Sequence, residues 1–94
     1  MTDPYQGPVL TVKQKEQIRG VSTILRALEI IEPALGVAVV TLETARRQDR
    51  SRREIMRSAK SIRIVRNGLE KQPSPDAWAL ADALGELIVQ LLLI

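Results

Sequence analysis

Five cations recur at intervals of 4, 3, 4 and 3 residues: Arg46, Arg50, Arg53, Arg57 and Lys60. On an α-helix of about 3.6 residues per turn this spacing confines them to a stripe roughly 80° wide. Arginine dominates the set, and its planar guanidinium matches the oxygens of a phosphate bidentately. The chemistry expected of such a stripe is the holding of a polyanion, not the making or breaking of bonds. Nine of the 14 Lys and Arg residues fall between Arg46 and Arg66, with only Asp49 and Glu54 among them, so the segment carries +7 while the rest of the chain carries −4. Charge segregated in this way points to an anionic partner. The competing reading is a solvated face, or one paired with Glu29, Glu32, Glu43, Asp82 and Glu86.

Bond chemistry has little to work with. The chain has no His and no Cys, which removes the common zinc ligand sets, the Ser-His-Asp and Cys-His nucleophile systems and any disulfide. Glu29 and Glu32 stand three apart but lack the His companions of a carboxylate-bundle metal site, and read as surface or ion-pairing acids. Glycines at 7, 20, 36, 68 and 85 form neither a phosphate loop nor a dinucleotide fingerprint. No enzyme activity, metal, cofactor or small-molecule substrate is therefore expected. With no Phe, and Tyr5 and Trp78 the only aromatics, there is no row of rings on which single-stranded bases could stack.

The elements that must position the stripe are helical. The expected fold is all-α: a single domain spanning 1–94, built as a small bundle of two to three helices. Pro4 and Pro8 oppose helix, so 1–10 reads as an extended arm. Thr11 with Gln14 has capping-box spacing and predicts a helix from Val12. Ile18, Val21, Leu25 and Leu28 then repeat at helical intervals, and Leu35, Val39, Leu42 and Ala45 resume the phase beyond a kink near Pro33. Ser51 and Glu54 also match a capping box, but the stripe stays in phase only in an unbroken helix through Asp49–Arg53, and that reading is preferred. Ile55, Ala59, Ile62, Val65 and Leu69 lie opposite the stripe, with Ile64 the exception on the basic side. Asn67-Gly68 reads as the end of this long basic helix. A connector at 70–74 supplies Ser74 as N-cap and Pro75 as first residue of a short apolar helix.

Seven of the last eight residues, Leu87 to Ile94, are large aliphatics. A helix in a small monomer buries one face, so the surplus is expected to seek another surface. Trp78, Leu84, Leu87, Ile88 and Leu91 are the expected self-association residues of a homo-oligomer, the alternative being a helix buried wholly within the monomer. Nucleic acid bound without strong sequence preference is the first expectation for the polyanion. An anionic membrane surface is the alternative, although Arg26, Glu29, Glu32 and Pro33 interrupt the longest apolar stretch and argue against a membrane span. A polar, Pro-punctuated N-terminus is unlike a secretory signal, so a cytoplasmic protein or a component of an assembly such as a virion is expected. Arg53-Glu-Ile-Met-Arg-Ser-Ala and Ile64-Val-Arg-Asn-Gly-Leu-Glu resemble the two halves of a helix-turn-helix, which would imply a DNA-binding regulator. Lys60 stands where that turn usually has Gly, and Met56 where a small residue is usual.

Overall fold

The computed structural model describes residues 10–48 and 52–94. It is all-α, with no strand among the described residues. There are four α-helices where two to three were expected: α1 (Val12–Glu29), α2 (Gly36–Arg47), α3 (Arg52–Glu70) and α4 (Pro75–Leu92), with a 3-10 turn at Pro33–Leu35 between the first two. The expected arm at 1–10 lies outside the described residues except for Leu10, which is buried in the core. Among the described residues no helix is long and apolar enough to cross a membrane.

The caps form as their chemistry requires. Thr11 Oγ1 accepts from the Gln14 amide at 3.1 Å, while Gln14 Oε1 accepts from the Thr11 amide at 2.9 Å, so two orphan N–H groups of α1 are satisfied reciprocally. Ser74 accepts from the Ala77 amide at 3.4 Å, with Pro75 in the first turn of α4. Pro33 does more than kink a helix. Lacking an N–H, it cannot continue α1, and the chain turns through the 3-10 segment before α2 begins. A β-carbon on Gly36 would meet only the flexible end of Glu29, at 2.8 Å, which that side chain relieves by moving.

The expectation of an unbroken basic helix is overturned. The Gln48 amide bonds to the Thr44 carbonyl at 3.0 Å, and Gln48 leaves the helix at φ −101°, ψ 9°. Asp49–Ser51, and Arg50 with them, lie outside the described residues. The physical reason is burial. A single rod would leave the faces of Leu35, Val39 and Leu42 and of Ile55, Ala59 and Ile62 strung along one side without cover, whereas separate α2 and α3 pack those faces together. The helix-turn-helix resemblance fails too, because both of its halves lie on the one helix α3. Gly68 does not end that helix, which runs on to Glu70 and buries Leu69.

Each helix packs on its neighbour in sequence, and α1 also touches α4. Gln14 Nε2 donates to the Ile94 carbonyl at 3.1 Å and Arg52 Nη2 to the Leu92 carbonyl at 2.9 Å, so the starts of α1 and α3 meet the end of α4. Ile31, Leu69, Gln72 and Ala77 share a cleft at the opposite end. The helices therefore run up, down, up and down, the arrangement that short connections enforce.

The self-association residues require correction. Leu84, Leu87, Ile88 and Leu91 are 0–4% exposed within the single chain. They face α3 and the chain's own core, because α4 directs its aliphatic majority inward. Of the five, only Trp78 reaches the surface, at 49% exposure. Replacing Leu84 with Ala should accordingly cost about 2–5 kcal/mol of folding stability, read from urea unfolding of the purified chain. A cost below about 1 kcal/mol would contradict a tightly packed position.

Candidate polyanion-binding face

With α3 beginning at Arg52, the basic residues sort themselves by what lies beneath them. Ile55, Ser58, Ala59, Ile62 and Leu69 point into the bundle. Arg53, Arg57 and Lys60 stand on the outer side and Arg63 on its flank, all exposed. From Arg53 to Arg63 the face extends roughly 15 Å along the axis at about 1.5 Å per residue. Met56 and Ile64, 43% and 65% exposed, sit among the cations. Together with Asn67 and Leu92 these side chains line an open groove of about 580 Å³ that includes no carboxylate.

The other described cations of the basic segment, Arg46, Arg47, Arg52 and Arg66, are committed elsewhere. Arg46, expected on the stripe, lies on α2 and bonds Glu43 Oε2 at 2.7 Å, so its place there is corrected. Its Nε is buried without a hydrogen-bond partner. The separation arises because α2 and α3 are distinct helices packed side by side. Glu43, only 8% exposed, also accepts from Ser22 Oγ at 2.6 Å and lies 3.4 Å from Arg26. The Ser22 hydroxyl and then the Arg46 guanidinium hold the Glu43 carboxyl below its ordinary value of 4.5, against the opposing pull of burial. Arg52 caps the end of α4 through the Leu92 carbonyl, and Arg66 pairs with Glu70 at 3.6 Å.

That leaves the outer face of α3 short of acids. Arg57 lies 3.6 Å from Glu54. Among the described residues no carboxylate lies within 4.0 Å of Arg53, Lys60 or Arg63. One cation of the face, Arg53, stands in the first turn of α3, where the macrodipole is positive and cations are disfavoured. Glu54 in that turn offsets part of the cost.

Three of the five expected stripe residues, Arg53, Arg57 and Lys60, are thus brought together, Arg46 is not, and Arg50 lies outside the described residues. Arg63 is a member that the spacing from Arg46 does not include. It stands three residues beyond Lys60, and a stripe phased from Arg53 instead of Arg46 takes it in. The assembly offers guanidinium and ammonium donors for phosphate or carboxylate oxygens. Among the described residues there is no grouping of acids able to hold a metal ion. No protein-family model, curated protein or solved structure matches the chain.

The Glu43 cluster generates a pH prediction. A carboxyl more acidic in the folded chain than in the unfolded one stabilises the fold above the unfolded value, and that contribution disappears as pH falls through the folded value. Glu43→Gln should cost about 1.5–3 kcal/mol near pH 7, the range for hydrogen bonds to a charged group. The gap from the unmutated chain should close as pH drops below 4.5. Unfolding curves at pH 7 and at about pH 3 check it, and a gap equally wide at both would refute the role given to the Glu43 charge.

Proposed function

We propose that this chain is a non-enzymatic interaction protein whose α3 presents Arg53, Arg57, Lys60 and Arg63 to a polyanion, with nucleic acid the first choice. The observation that carries the proposal is the grouping of these four exposed cations on one face where only Arg57 has a carboxylate within 4.0 Å among the described residues. Self-association stays part of the reading, but through exposed faces instead of the leucines buried on α4.

The mode of binding follows from packing. A helix that reads base edges must enter a major groove about 12 Å wide and present its tip or one full side there. Here α3 is flanked by α2 and by α4, so its cations form part of a broad surface. Such a surface meets sugar-phosphate backbone, which positions the protein without reading sequence. Neutralising four phosphates gives a slope of about −3.6 in log K against log salt on duplex DNA, at roughly 0.9 per phosphate.

Met56 and Ile64 among the cations favour a second reading, in which the face lies on an anionic membrane and these two side chains enter the headgroup region. Vesicles containing phosphatidylserine would then sediment the chain, and vesicles of phosphatidylcholine alone would not.

Changing Arg53, Arg57, Lys60 and Arg63 together to Gln removes four charges and keeps residues that favour helix. Duplex affinity should fall on all sequences alike, with the salt slope shrinking by about 0.9 for each phosphate no longer neutralised. Folding stability should change by less than about 1 kcal/mol, as for exposed charges generally. Fluorescence anisotropy across a salt series measures both slopes. Equal slopes for the variant and the unmutated chain would refute the proposal.

A further inference from the structure

The outer side of α4 carries a pattern that the polyanion reading does not use. Trp78, Asp82, Glu86, Val89 and Leu93 follow one another at 4, 4, 3 and 4 residues, which places them on one face of the helix or just past its end. All five are exposed, Trp78 by 49%, Val89 by 55% and Leu93 by 81%. Among the described residues neither Asp82 nor Glu86 has a basic group within 4.0 Å. The order along the face is apolar, acidic, apolar. The outer face of α3 shows the complement: Met56, then Arg57, Lys60 and Arg63, with Ile64 closing the run. Its apolar residues are roughly 12 Å apart along the axis, and Trp78 and Val89 roughly 16 Å.

We infer that a second copy of this chain docks here, the acidic outer face of α4 in one copy lying against the basic outer face of α3 in the other. Charge decides the arrangement. Pairing α3 with α3 sets cations against cations and pairing α4 with α4 sets acids against acids, whereas α4 against α3 satisfies both. A two-fold axis parallel to the helices makes the favourable pairing twice, because such an interface uses the same patch on each copy. The register agrees. Within one chain α3 and α4 run antiparallel, with Arg52 beside the Leu92 carbonyl. Rotation about that axis preserves level, so Glu86 of one copy comes within a turn of Lys60 of the other. Asp82 then meets Arg63, Val89 meets Met56, and Trp78 falls near Ile64 and Asn67.

Exposed ion pairs contribute little each, so the apolar flanks supply area while the charges set orientation and register. A half-exposed Trp beside an aliphatic residue is the kind of anchor that interfaces concentrate. The inference uses the same α3 face as the polyanion proposal but does not rest on it. It implies that a polyanion and a second copy compete for α3.

Sedimentation velocity of the full chain without nucleic acid tests the pairing. The unmutated chain should sediment as a dimer. Asp82→Lys with Glu86→Lys, and separately Lys60→Glu with Arg63→Glu, should each weaken dimerisation at least tenfold while circular dichroism keeps its helical signal. Mixed in equal amounts, the two variants should return to dimer mass, since each then meets its opposite. Trp78→Ser, which leaves every charge in place, should also weaken the dimer. A monomeric unmutated chain, charge variants that remain dimers, or a mixture that stays monomeric would each overturn the inference. Duplex binding by a monomeric chain would leave the polyanion proposal standing alone, and a dimer without duplex affinity would leave the pairing standing alone.

Discussion

The aliphatic face of α4 is the constraint on which the rest of the molecule depends. Ala77, Ala81, Leu84, Leu87, Ile88 and Leu91 are all buried on that one helix, in a core without a single Phe. Branched aliphatic side chains fill space in small increments, so α4 needs a long partner at close range. α3 supplies it through Ile55, Ala59 and Ile62. Committing that side of α3 to α4 and to α2 turns the opposite side outward, and the residues found there are Arg53, Arg57, Lys60 and Arg63. The exposure of the basic face is a consequence of packing.

Electrostatics then separates the cations held within the fold from those on the outer face of α3. Arg26 and Arg46 gather on Glu43, with Ser22 completing its shell, so one buried carboxylate ties α1 to α2. Removing it would leave the Arg46 side chain, which is 32% exposed, without its carboxylate partner. Arg52 likewise serves the fold by closing the carbonyl end of α4. The cations on the outer face of α3 differ: Arg53 stands in the first turn against the macrodipole, and among the described residues only Arg57 has a carboxylate close by. Net charge of +3 gives no hint of this division. It emerges only once each residue has a neighbour.

Much of the fold is written in local chemistry that needs no tertiary context. Thr11 with Gln14 and Ser74 with Pro75 mark two helix starts through hydrogen bonds made within four residues. Ile18, Val21 and Leu25, or Ile55, Ala59 and Ile62, identify buried faces by period alone. What resists reading depends on distant partners. The choice between one helix and two around residues 49–51 turns on whether two apolar faces can cover each other. A preference for one helix follows from letting the charged stripe set the phase, although burial is the larger energy. Trp78 and the leucines of α4 pose a similar problem. More than half the circumference of α4 is apolar, so period alone does not say which side meets α3. The structure turns Leu84 and Leu87 inward and Trp78 outward. Of the candidate face, Arg53, Arg57 and Lys60 are legible from spacing, while Arg63 takes the place expected of Arg46 once α2 and α3 are separate helices.

The central claim is that the outer face of α3, and not the basic segment as a whole, meets the polyanion. Nuclear magnetic resonance of the isotope-labelled chain, titrated with a duplex of arbitrary sequence, addresses it residue by residue. The side-chain Nε–H signals of Arg53, Arg57 and Arg63 should move together and saturate at one stoichiometry, while those of Arg46 and Arg26, held on Glu43, stay in place. Shifts centred on Arg26 and Arg46, or spread evenly over every arginine, would contradict it.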